Sequence, residues 1–213
     1  MRIPLTLIMA FVLLSSCTRI VNQGDLDFRD GRYYLEDGDE PYTGKVFAEY
    51  KSGLRKLEGQ YEDGLKEGTF VKYYPNGEKK SEINYAKGIM SGQAFYWYED
   101  GNLKYELLYS DNVKDGLFIK YYRNGEKQFE KNYINGKLDG KVTRWYPDGT
   151  KMKESVYKGG VKEGLHSEWY ETGTKKAKIK YRGGKIIGQP QEWFPSGKQK
   201  LGKYKALDLL MKQ

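Results

Sequence analysis

Hydrophobic and polar positions along this chain fall into short runs that return every 24 residues. Thr69 to Tyr74 are β-branched and aromatic apart from Lys72, the make-up of a strand. Pro75-Asn76-Gly77 follows as a turn: proline presets φ for entry, and Asn and Gly tolerate the left-handed backbone that reverses the chain. Glu78 to Tyr85 read as the returning strand. The pattern then restarts. Tyr61, Tyr85, Tyr109, Tyr133, Tyr157 and Tyr181 each open a unit with the form Y-x-x-G-x-x-x-G-x-x-x-x-[YW]-[YF]-x-x-G. Repetition at such a period means one supersecondary unit stacked on copies of itself. The expectation is an all-β, elongated antiparallel meander of repeated β-hairpins.

Glycines punctuate the units. The eighth position is Gly68, Gly92, Gly116, Gly140, Gly164 and Gly188, and the seventeenth is Gly77, Gly101, Gly125, Gly149, Gly173 and Gly197. The second connection is expected to run from the tyrosine to the eighth-position glycine, with two glycines four apart allowing positive φ, as in Gly136 and Gly140. Asn112 stands where the third unit lacks the first of these glycines, and Asn accepts the same backbone.

An aromatic pair sits between the glycines. Neighbouring residues of a strand point to opposite faces, so the thirteenth-position column, Tyr73, Trp97, Tyr121, Trp145, Trp169 and Trp193, lines one face. The fourteenth, Tyr74, Tyr98, Tyr122, Tyr146, Tyr170 and Phe194, lines the other. One column is a structural seam. The other is covered or forms a binding groove, and the thirteenth is the candidate binding-face column. With 38% hydrophobic residues but 15% aromatic, the material suits rows of rings on a sheet rather than a thick rounded core.

The ends depart from the pattern. Residues 30–60 read as degenerate N-terminal capping repeats, in which Gly44, Tyr50 and Gly53 fall on the expected columns. Residues 61–204 hold the six regular units, and 205–213 a C-terminal cap, with Leu207, Leu210 and Met211 placed for one side of a short helix over the last strand edge. Residues 18–29 read as a tether. Residues 1–17 read as a signal peptide: Arg2, an apolar run from Ile3 to Leu14, then Leu14-Ser15-Ser16-Cys17. That last segment resembles a bacterial lipobox, which implies that Cys17 becomes the mature N-terminus and carries lipid. Thr18 after it implies the outer membrane if the organism is Gram-negative.

The unit quoted from Gly68 to Gly92 resembles the MORN repeat, in particular its bacterial variant, over about residues 30–204. The resemblance implies an elongated hairpin sheet, and many such bacterial chains resemble the YwqK-family antitoxins.

Chemistry is sparse. Cys17 is the sole cysteine, so an intramolecular disulfide and a cysteine metal cluster are excluded. His166 is the sole histidine and reads as a strand residue, with no serine or cysteine nucleophile pattern beside it. The column Glu82, Glu106, Glu130 and Glu154 is flanked by lysines and reads as a solvated charge ladder. No phosphate loop appears, and no catalytic, cofactor or metal site is expected. The +8 net charge comes from 37 basic and 29 acidic residues, with acids interrupting every basic stretch. Those interruptions, with a start that reads as an export signal, point away from nucleic acid. The expected function is a membrane-anchored, non-enzymatic protein-binding or scaffold module of the cell envelope. Its partner is an unknown protein, and it reaches the membrane through the Cys17 lipid. The alternatives are an antitoxin that neutralises a partner toxin, and a protein that binds anionic lipid or wall glycan.

Overall fold

The computed structural model describes residues 19–201. Cys17 and the proposed capping helix after residue 204 lie outside them. Seven hairpins follow one another. The strands are β1 (Ile20–Asn22), β2 (Leu26–Arg29), β3 (Arg32–Leu35), β4 (Gly44–Glu49), β5 (Arg55–Glu62), β6 (Leu65–Tyr73), β7 (Lys79–Ala86), β8 (Ile89–Trp97) and β9 (Leu103–Ser110). They continue as β10 (Val113–Tyr121), β11 (Lys127–Ile134), β12 (Lys137–Leu138), β13 (Gly140–Trp145), β14 (Lys151–Lys158), β15 (Val161–Trp169), β16 (Lys175–Arg182) and β17 (Lys185–Glu192). From β4 to β17 successive strands pair antiparallel in one sheet, with β11 pairing both the short β12 and β13, and β2 and β3 form a separate two-stranded sheet. The antiparallel meander of hairpins is therefore the fold.

Two turn chemistries alternate. At one margin the loop has three residues, as in Pro75-Asn76-Gly77: the Tyr74 amide donates to the Glu78 carbonyl and the Gly77 amide to the Tyr74 carbonyl. At the other margin the loop has only two, such as Asn135 (φ 48°) and Gly136 (φ 75°), a type I′ hairpin turn. Asn112 occupies that second position with φ 63°, as its side chain allows.

The eighth-position glycines are not part of this turn, contrary to expectation. Gly68 lies inside β6, where Gln60 pairs with Glu67 and Glu58 with Val71, so Gly68, Thr69 and Phe70 stand against Gly59 alone. That is a bulge, and the left-handed φ of Gly68, 67°, makes it. A like shift recurs in the second, third, fifth and sixth units, and in the fourth it separates β12 from β13.

Side chains on the bulged face fit by size. A Cβ on Gly59 would lie 2.5 Å from the Phe70 ring, whereas Ala94 faces Ile83. Sixth-position residues follow the same alternation. Lys66, Lys114 and Lys162 occur where the tenth position is Phe70, Phe118 or His166; Met90, Leu138 and Ile186 occur where it is Ala94, Val142 or Pro190. Lys66 lies 5.1 Å from the Phe70 ring centre and Lys114 4.9 Å from that of Phe118. A lysine stem covers a large ring and an apolar side chain fills the space over a small one.

The best-buried core is at the N-terminal end: Leu26, Tyr42, Val46, Tyr61 and Phe70, with Tyr33 packed on Tyr61 at 4.7 Å between ring centres. This corrects the reading of residues 18–29 as a tether. Ile20–Asn22 pair in parallel with Lys45–Phe47, and Leu26 is buried. Leu26, buried, and Val21, half-buried against the core, cover the first hairpins, which an end repeat otherwise leaves to water. Gly44 to Glu62, β4 and β5, form a full hairpin in the same sheet, with Gly44 opposite Tyr61.

Candidate binding faces

The fourteenth-position tyrosines are the seam. Tyr50, Tyr74, Tyr98, Tyr122, Tyr146 and Tyr170 each donate the phenol hydrogen to the backbone carbonyl of the thirteenth-position residue in the next unit, at 2.7 to 3.1 Å. Each bond crosses one unit boundary and satisfies a half-buried hydroxyl. The opposite margin is tied too: the Gly136 amide donates to the Lys114 carbonyl and the Gly160 amide to that of Leu138.

The thirteenth-position column is half-buried on the other face and follows a different rule. Each tryptophan carries a lysine from the preceding unit. Lys79 lies 5.6 Å from the ring centre of Trp97, Lys127 6.0 Å from Trp145, Lys151 5.4 Å from Trp169 and Lys175 5.8 Å from Trp193. Three of these lysines also pair with a glutamate three residues on: Glu82 at 2.7 Å, Glu130 at 2.6 Å and Glu154 at 2.8 Å. Where the column holds tyrosine, the phenol donates to the glutamate instead, Tyr73 to Glu58 at 2.5 Å and Tyr121 to Glu106. Burial first, and then the Glu58 carboxylate, push the Tyr73 phenol up to about 12. The glutamate column is thus a ladder of partnered charges rather than a set of paired carboxylates. At its N-terminal end the same face holds a concavity of about 500 Å³, lined by Phe47, Arg55, Glu58, Thr69 and Val71. Leu117 and Leu165 are among the exposed aliphatics of this face, at 46% and 44%.

His166 has a partner that sequence spacing did not reveal. Ser155 Oγ lies 2.6 Å from His166 Nδ1, and His166 Nε2 lies 3.1 Å from Glu168 Oε1. Burial lowers the His166 pKa, the Glu168 hydrogen bond opposing it. With Nε2–H donating to Glu168, Nδ1 accepts the Ser155 hydroxyl proton. The order serine, histidine, carboxylate has the logic of an activated nucleophile, but Ser155 and His166 are each only 3% exposed. No substrate carbonyl reaches a serine so covered, and the pair occupies the bulge position held elsewhere by Gly59 and Phe70. It is a satisfied polar insert in the core. Among the described residues no cluster of His, Cys, Asp or Glu is arranged to hold a metal ion, and no helix is long and apolar enough to cross a membrane.

Beside Ser155, on the face opposite the thirteenth-position column, lies a basic concavity of about 210 Å³, between Lys131, Arg144, Lys153, Leu138 and Val142. Desolvation, and then Arg144, Lys114 and Lys120 close by, lower the Lys131 pKa.

The family model described as MORN repeat variant matches four stretches, residues 66–87, 90–111, 114–135 and 138–158. Their starts are 24 residues apart, the period of the sequence, and each begins at the sixth position of a unit. No curated protein sequence matches the chain.

Proposed function

We propose that this repeat module is a non-enzymatic binding or scaffold protein, carried on a membrane by a lipid at Cys17, whose thirteenth-position face receives a protein partner. One observation carries the reading. The fourteenth-position tyrosines join the units, so Tyr73, Trp97, Tyr121, Trp145, Trp169 and Trp193 are not needed as the seam, yet they form a continuous half-buried row. Aromatic rings with a mixed-charge border are the composition of an interaction surface, since they give large rigid contact area at low entropic cost. The lysines and glutamates beside them pair with one another, which favours a protein partner of mixed charge over a purely anionic surface.

The test is crosslinking in cells of the full-length protein, followed by mass spectrometry. One dominant protein partner, lost when Trp145 and Trp169 are both changed to alanine but kept in Tyr122→Phe, supports the reading. A dominant partner encoded beside this chain as a toxin would turn it into an antitoxin. Recovery of lipid or wall material alone would sink the protein-partner reading. The anchor is tested separately: Cys17→Ala is expected to release the protein from membranes, and unchanged processing and fractionation would refute lipidation.

A further inference from the structure

We infer that the basic concavity around Lys131 and Arg144 is a binding site for a small phosphoryl-bearing ligand, of the class of a sugar phosphate. It lies on the face opposite the thirteenth-position column and does not rest on the protein-partner reading.

The register places like charges together at this point. Arg144 and Lys153 are direct cross-strand neighbours between β13 and β14, and Phe129 is opposite Arg144 on the other side. Like charges directly opposite on a sheet destabilise it. Glu168, bound by Lys153 at 2.9 Å and by His166 at 3.1 Å, offsets the charge of Lys153 but leaves Arg144 and Lys131 without a carboxylate. Among the described residues Lys131 and Arg144 form no ion pair. Aromatic rings hold the ammonium in place: Lys131 lies 4.2 Å from the centre of Phe129 and 5.9 Å from that of Phe118. Desolvation of Lys131 and repulsion from its neighbours make its charged form costly, and the counter-charge of a bound anion would offset that cost.

Repulsion of this kind, retained in a sheet whose other face pairs its charges, is expected where a ligand supplies the missing counter-charge. Lys131 and Arg144, the two cations here without an ion pair, together suit a dianion better than a single carboxylate. The guanidinium presents two parallel N–H donors to a phosphoryl group, and each ammonium adds a point charge. Leu138 and Val142 form an apolar wall, which suits the C–H face of a sugar ring rather than a bare phosphate. The volume, about 210 Å³, is that of a compact ligand.

The experiment is titration calorimetry of the full-length protein in detergent at low salt, with glucose 1-phosphate, glucose, inorganic phosphate and phosphatidylglycerol vesicles as probes. Glucose 1-phosphate is expected to bind, inorganic phosphate more weakly, and glucose not at all. Lys131→Met and Arg144→Gln should each weaken glucose 1-phosphate at least tenfold, with Lys185→Met at the far end unchanged. Without ligand, Arg144→Gln should raise the thermal midpoint, because it removes the cross-strand repulsion. Three outcomes would overturn the inference: no binding of either phosphate, equal binding by the variants, or binding to the vesicles alone, which would mean a flat charged surface. A lower midpoint for ligand-free Arg144→Gln would remove the repulsion argument and overturn it as well.

Discussion

Single hydroxyls and ring nitrogens do much of the joining in this protein. Tyr122 donates to the Trp145 carbonyl across a unit boundary, and a net intramolecular hydrogen bond contributes about 1 kcal/mol. Tyr122→Phe is therefore expected to lower unfolding stability by about 1 kcal/mol with the fold kept, as read from urea denaturation followed by tryptophan fluorescence. A change near zero would show that water replaces the bond. His166 gives a pH test. Its pKa is lowered in the fold from 6.5. Above pH 6.5 it is neutral in both states. As pH falls through 6.5 the unfolded chain takes up the proton first, so stability is lost from there downwards. Glu168 acts in a lower window: burial pushes its carboxyl up, but Lys153 and then His166 outweigh it and hold the carboxyl below 4.5, so its contribution is lost only as pH falls below 4.5. His166→Gln should remove the upper step and leave the lower one. An unchanged step below pH 6.5 would assign it elsewhere.

Hairpins are the element on which the sequence was most legible. Pro-Asn-Gly and its relatives marked the three-residue loops, because φ is fixed by proline and the left-handed corner is open to glycine. The tyrosine columns and the degenerate hairpin over residues 37–60 were legible for the same reason, a repeat being a pattern in position. The eighth-position glycine was misread as part of a turn. A glycine shows that a left-handed backbone is wanted but not whether a turn or a bulge uses it, since both need the same φ. Gly140 tests the bulge in isolation. Its φ is 90°, and a Cβ there would meet nothing nearer than the Asn132 Cβ at 4.0 Å, so Gly140→Ala carries a conformational cost without a clash. The expected loss is about 1 kcal/mol, measured by thermal or urea unfolding, and a neutral result would mean that the bulge relaxes.

Over the whole molecule, stability is graded along the sheet. Tyr61, Val46, Tyr42 and Phe70 are the deeply buried residues near the N-terminal end, while β17 is exposed along nearly its whole length and, among the described residues, has β16 as its one strand neighbour beside a single backbone bond from Lys200. In a stacked array local opening follows the weakest interfaces. Hydrogen exchange should accordingly be slowest in β5 and β6 and fastest in β16 and β17, and uniform protection across the array would contradict this gradient.

The sequence by itself determined the repeat, the hairpins, the three-residue turns and the two aromatic columns. All of these follow from local backbone chemistry and from the side-chain periods of 24 and of 2. It also pointed to Cys17 through a motif contiguous in the chain. Only the tertiary structure decided which column is the seam, because that depends on a phenol reaching a carbonyl 23 residues away. It likewise decided that residues 20–26 fold onto the first hairpins, that Ser155 meets His166, and that Lys131, Arg144 and Lys153 crowd one concavity. Each of these is a question of register. Strand pairing brings together residues that chain spacing keeps apart, and one bulge shifts every neighbour beyond it.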